Sequence, residues 1–193
     1  MSAWYKKDER RTQMKLTLLT ALAVVFVVIS LGQSPETQIV RLSPAAFPEL
    51  PANLVQELQR RQCTVPQETF SKNRNNVIKG EFAKPGQTDW AVLCSVRGVS
   101  TILVFWNGSE KNPAALASVP DNGFVQFLGR GQWGYSRGIE AVGKDYIMRH
   151  YEAYGGPKPP PIDHQGINDV FIEKASVVLY LYEGQWLKLT GAD

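Results

Sequence analysis

The chain is poor in the side chains that carry most metal and redox chemistry: its 193 residues include two Cys and two His. With His150 and His164 alone, a multi-His zinc site is excluded. Cys63 and Cys94 are too few for a densely cross-linked miniprotein, and an even pair suits one structural disulfide. One G-x-S-x-G pattern occurs, Gly134-Tyr135-Ser136-Arg137-Gly138, but it stands in a glycine-rich stretch without the strand-to-helix turn that makes a nucleophile elbow. The glycine-rich "GRGQWG" at 129–134 has neither the Lys nor the strand–helix context of a phosphate loop. These absences leave no cofactor and no metal to be expected.

Charge of one sign is also scarce, once the N-terminus is set apart. The whole chain is +3 with a pI of 8.8. Residues 1–32 hold five Lys/Arg and two Asp/Glu, so 16 basic and 16 acidic side chains remain in 33–193. A neutral remainder without a basic cluster excludes nucleic acid as a partner, because phosphate neutralisation supplies most of that affinity.

Only one long apolar run is present. It extends from Leu16 to Leu31, broken by Thr17, Thr20 and Ser30, and follows Lys6, Lys7, Arg10, Arg11 and Lys15. A basic segment before an apolar core is an export signal. Ser30 and Gly32 sit at −3 and −1 of a cut before Gln33. The run of 16 residues lies between a signal core of about 7–15 and a spanning helix of about 17–25. Residues 1–32 are therefore expected to be a signal peptide or an uncleaved signal anchor. Either way the basic flank stays in the cytoplasm and the remainder crosses. The protein is expected in the periplasm or secreted, or held at the membrane by residues 16–31.

Residues 33–50 carry Pro35, Pro44 and Pro48, with Pro51 directly after them. Prolines at that density prevent a helix, and a linker or strap is expected. Residues 51–193 are expected to form a single exported globular domain. "PANLVQELQRRQ" reads as an amphipathic helix with Leu54, Val55 and Leu58 on one face and Arg60 and Arg61 in its last turn. From Val77 the period changes to two, and "VIKGEF", "WAVLCSV" and "TILVFW" read as strands. Asn107-Gly108 and Asp121–Gly123 read as turns, and "VVLYLYEGQWLKL" as a hairpin about Glu183-Gly184. "GRGQWGYSRGIEAVG" reads as irregular, "KDYIMRHYEAYGG" as strand or short helix, and "INDVFIEKAS" as one or two helical turns from Ile167, Val170 and Phe171. Without βαβ alternation, the fold class expected is α+β: a mostly antiparallel sheet of roughly six to eight strands with one or two short helices.

One hairpin has a relative. Gly80-Glu81-Phe82, a short loop with Gly86, and Asp89-Trp90-Ala91-Val92-Leu93 resemble a blade hairpin of FG-GAP or VCBS-type repeats, over residues 79–94. The resemblance implies a calcium loop lined by Asp and Asn oxygens. The loop here, "AKPGQT", departs from that pattern: Glu81 precedes it, Asp89 follows it, and Lys84 brings a positive charge. Calcium takes about six to eight oxygen ligands. No second copy of the pattern occurs, and repeat architectures need about three units. The residues thus predict an ordinary Pro85-Gly86 turn, with no calcium and no propeller.

Two further groups are candidates. Asp163, His164, Asp169 and Glu173 are a polar cluster in which Asp163, His164 and Glu173 suit acid–base hydrolysis; the alternative is loop solubility and helix capping. Trp133, Tyr135, Tyr151 and Tyr154 crowd one segment, and exposed aromatics of this kind bind sugars or proteins; the alternative is burial in strands. The function expected is a non-catalytic binding or structural module of the cell envelope, contacting an envelope protein or a glycan. The alternatives are a small periplasmic hydrolase using Asp163, His164 and Glu173, or an accessory or inhibitor subunit of another exported enzyme. Cys63–Cys94 is expected to be a disulfide.

Overall fold

The computed structural model describes residues 38–192, which belong to one compact unit spanning 35–193. The expected export segment at 1–32, and the linker up to Thr37, lie outside the described residues.

The proline-rich stretch is an ordered strap. Its strand β1 (Arg41–Leu42) pairs antiparallel with β2 (Val65–Pro66). A single 3-10 turn follows at Pro44–Ala46, where Ser43 Oγ accepts the Ala45 N–H. Phe47 and Leu50 beyond it are buried. Helix α1 (Ala52–Arg60) starts beside Pro51, whose missing N–H costs nothing at a helix entry. Leu54 and Leu58, one turn apart, are both fully buried. Flanking that apolar face, Glu57 pairs with Arg60 at 2.7 Å and Arg61 at 2.6 Å.

Strands β3 (Val77–Gly80), β4 (Asp89–Val96), β5 (Val99–Phe105) and β6 (Ala114–Pro120) form a first antiparallel sheet in chain order. Strands β7 (Val125–Gly129) and β8 (Gln132–Tyr135) make a separate hairpin. Strand β9 (Arg137–Val142), helix α2 (Lys144–Tyr154), and strands β10 (Gly166–Phe171), β11 (Ala175–Tyr182) and β12 (Gln185–Thr190) complete the chain. The last four strands form the second antiparallel sheet, ordered β12-β11-β10-β9. Three hairpins close through two-residue loops, Arg97-Gly98, Arg130-Gly131 and Glu183-Gly184, with positive φ at both positions of each. That geometry matches the twist of the flanking strands.

Alternation along the strands builds four layers. Ala91 and Leu93 of β4 and Ile102 and Val104 of β5 meet Ile139, Ile167 and Leu179 of the second sheet. Their neighbours Trp90, Val92, Cys94, Leu103 and Phe105 face the other way, onto Leu54 and Leu58 of α1 and Phe47 and Leu50 of the strap. Val142, Val178, Tyr180 and Leu189 leave the second sheet on its outer face and meet Ile147 of α2. The layers therefore run α1, first sheet, second sheet, α2. Cys63, just past α1, is disulfide-bonded to Cys94 of β4 across a Cα–Cα distance of 5.2 Å. This bond ties the helical layer to the first sheet.

Among the described residues the fold is β-rich with two helices, and 12 strands lie in four antiparallel sheets, more than the six to eight expected. Two of the extra strands, β1 and β2, have two residues each, too few to show a period. The segment around Gly129–Gly143 is not irregular: it supplies β8 and β9. Ile167–Ser176 is not helical: it is β10, a turn, and the start of β11. Lys144–Tyr154 resolves as a helix. Among the described residues no helix is long and apolar enough to cross a membrane.

Candidate functional site

The largest buried charge lies between the sheets. Arg137 of β9 is fully buried. It donates to both carboxylate oxygens of Asp169 at 2.9 Å, to the Ser100 carbonyl at 3.0 Å and to the Ala117 carbonyl at 2.6 Å. Its guanidinium also lies 4.9 Å from the Phe124 ring centroid. Asp121, equally buried, accepts from Ser95 Oγ at 2.6 Å, from Arg41 at 2.8 Å and from Ser100 Oγ at 2.5 Å. Every one of these groups is committed to another element of the fold, so the network holds strap and sheets together rather than presenting chemistry to a ligand. Tyr135 belongs to it, with its hydroxyl 3.1 Å from Ser100 Oγ. Burial pushes the Tyr135 hydroxyl pKa up.

The loop between β3 and β4 is built around Asp89. That buried carboxylate accepts the N–H groups of Phe82 at 3.0 Å, Ala83 at 2.9 Å and Asn107 at 2.8 Å, and Gln87 Nε2 at 2.7 Å. The oxygens that a cation would need are turned onto donors of the loop and of the turn after β5. Among the described residues no group of three or more His, Cys, Asp and Glu is placed to hold a metal.

Asp163, His164 and Glu173 do not converge. His164 has Nδ1 2.9 Å from the Gln165 carbonyl and Nε2 2.9 Å from the Leu181 carbonyl, and it stacks on Tyr180 at 4.4 Å. Both ring nitrogens face backbone carbonyls rather than a cleft. The Asp163 carboxylate stands 3.9 Å from Nε2 and points largely to solvent. Glu173 sits in the turn after β10, at the opposite end of that strand from His164. Asp169 is the partner of Arg137.

Of the four singled-out aromatics, Trp133 borders a groove. Tyr135 is in the core, and Tyr151 and Tyr154 lie on α2, where Tyr154 stacks with His150 at 6.0 Å. The groove holds about 280 Å³ and is lined by Trp133 with Gln38, Gln67, Glu68, Thr69 and Arg74 among others. Its wall is the segment joining β2 to β3, and internal hydrogen bonds fix that wall. Gln67 Nε2 donates to the Val65 and Asn75 carbonyls, both at 3.1 Å, while its Oε1 accepts the Asn75 N–H at 3.0 Å. Asn75 Oδ1 accepts the Glu68 N–H at 2.9 Å. Arg74 donates to the Ala46 carbonyl. Thr69 Oγ1 accepts the Tyr135 N–H at 2.8 Å, and Gln38 Oε1 accepts the Trp133 N–H at 3.1 Å. The Trp133 ring meets Phe127 edge to face at 5.2 Å. Glu68 is buried, and loss of hydration raises its carboxyl pKa above the usual range; N–H groups of Phe70 and Ser71 oppose the shift, and the nearby Glu140 charge adds to it.

Glu68, Gln67 and Arg74 escaped the sequence reading. "QETFSKNRNN" at 67–76 did carry a signal: a run of amides, hydroxyls and charges with Phe70 as its only large apolar residue. No protein-family model matches the chain, and no curated protein or solved structure is significantly similar to it.

Proposed function

We propose that the protein is an exported, non-catalytic binding module of the cell envelope, and that the groove beside Trp133 takes a short glycan. The observation that carries this reading is the pairing of a half-buried indole with rigid amide, hydroxyl, carboxylate and guanidinium groups around one small groove. An aromatic face covers the apolar C–H face of a sugar ring, and the polar wall hydrogen-bonds its hydroxyls. A wall already held by internal bonds loses little entropy on binding. The volume of about 280 Å³ falls just below the usual range for ligand pockets, about 300–1,000 Å³, so one or two sugar rings fit best. Export is supported by the basic-then-apolar N-terminus and is compatible with the Cys63–Cys94 disulfide, which suits an oxidising compartment.

Glycan-array screening of the full chain, followed by calorimetry on the best ligand, tests the reading. Trp133→Ala is expected to weaken binding at least about tenfold, the equivalent of 1.4 kcal/mol. A chain that binds no glycan, or binds one equally well without Trp133, overturns it. The burial of Glu68, where lost hydration raises the carboxyl pKa, favours a second reading, in which the groove cleaves its glycan by general-acid catalysis. Cleavage products that disappear in Glu68→Gln would establish that enzyme. A binding module instead shows no products in either form.

A further inference from the structure

Hairpin β7–β8 turns two large apolar side chains to water. Phe127 is 58% exposed and Leu128 39%. Exposed Arg130 sits at the tip between Gly129 and Gly131, in the two-residue loop. Adjacent apolar and aromatic side chains beside a cation are the composition of a lipid-interface contact, where Phe and Leu enter the acyl boundary and Arg pairs with phosphate.

The course of the chain selects that occupant. The described residues begin close to the tip of this hairpin, where Gln38 Oε1 accepts the Trp133 N–H at 3.1 Å. The apolar run ends at Leu31, and the seven residue steps from there to Gln38 reach at most about 25 Å when fully extended. If the run stays in the bilayer as an anchor, Gln38 stays within that distance of the run's end. Val40, 61% exposed on the strap, adds apolar surface near the same end. The chain leaves little slack for a large partner protein between this face and the lipid.

We infer that the β7–β8 hairpin is a lipid-contacting element: Phe127 and Leu128 enter the outer edge of the acyl region, Arg130 pairs with anionic headgroups, and Trp133, packed edge to face on Phe127, reports the contact from the groove side. The inference rests on residues 16–31 being an uncleaved anchor, and goes beyond it by assigning a second, folded contact.

The test uses the full chain reconstituted in vesicles of phosphatidylcholine and phosphatidylglycerol brominated near the headgroup. The difference in quenching between the wild type and Trp133→Phe isolates the Trp133 signal from the other tryptophans. That component is expected to be clearly quenched, and to fall at least twofold in Phe127→Ser/Leu128→Ser. Arg130→Glu, at an exposed turn position, is expected to lower it in phosphatidylglycerol-containing vesicles with the circular dichroism unchanged. Absence of Trp133-dependent quenching overturns the inference. Carbonate extraction separates this from the anchor reading. A chain that resists extraction but shows no Trp133 quenching keeps its anchor and loses the hairpin contact. A chain that is extracted yet was quenched through Trp133 keeps the contact and loses the anchor.

Discussion

Arg137 shows what single residues do in this fold. A guanidinium with no exposure is stable inside only when its donors are satisfied, and here Asp169 and two carbonyls supply the acceptors. Removing it leaves Asp169 facing the core without its partner. Arg137→Met is therefore expected to cost about 3–5 kcal/mol, the range for breaking a buried pair from one side. Arg137→Met/Asp169→Leu should recover part of that loss, because no charge is then stranded. Urea unfolding of the three proteins checks both; a double variant less stable than Arg137→Met would contradict the account. None of this was legible in the sequence. Arg137 follows the glycine-rich stretch, and Asp169 stands in a polar cluster that reads as solvent-exposed. Only the pairing of β9 with β10, which sets Arg137 opposite Phe171 and Asp169 opposite Ile139, brings the two side chains to one inner face.

Elements were legible where one local rule acts alone. Helix α1 could be read because Leu54 and Leu58 repeat at helical spacing, and the Arg97-Gly98 and Glu183-Gly184 turns because glycine marks them. Strand β10 could not, because its alternation is hidden: Asn168 faces α2 through the Tyr146 hydroxyl at 2.9 Å, and Asp169 faces inward to Arg137. Polar residues on both faces erase the period of two. The groove was legible only through Trp133, since its polar wall belongs to no regular element. Helix α1 also carries a pH signature. Hydrogen bonds from Arg60 and Arg61 hold the Glu57 carboxyl down at about 2 against an ordinary 4.5. A lowered carboxyl pKa contributes stability above its unfolded value and loses it as pH falls toward the folded one. The stability difference between the wild type and Glu57→Gln should thus be constant above about pH 5 and vanish by about pH 2, over the window those pKa values set. Both pairs lie at the surface, so the difference should stay below about 1 kcal/mol. Thermal melts across this window measure it; a difference that grows toward acid pH would contradict the assignment.

At the scale of the molecule, the two halves of the domain depend on each other. Residues up to Pro120 supply the strap, α1 and the first sheet; those from Val125 supply the hairpin, the second sheet and α2. Either half alone would leave an inner sheet face bare, Ala91, Leu93, Ile102 and Val104 on one side and Ile139, Ile167 and Leu179 on the other. The buried charges cross the same interface: Arg137 of the second sheet bonds the Ser100 and Ala117 carbonyls of the first. Shared apolar and polar burial makes unfolding of one sheet expose the other, so the described domain is expected to open as one cooperative unit. Leu189 is a suitable probe, because it is buried on β12 and faces α2 rather than the first sheet. Leu189→Ala should destabilise by about 2–5 kcal/mol. In native-state hydrogen exchange, protection of β4 and β5 should fall by the same amount as that of β10 and β11, although no residue of the first sheet has changed. Loss of protection confined to β10 and β11 would mean that the sheets unfold independently and that the inner interface is a contact between two separately stable layers.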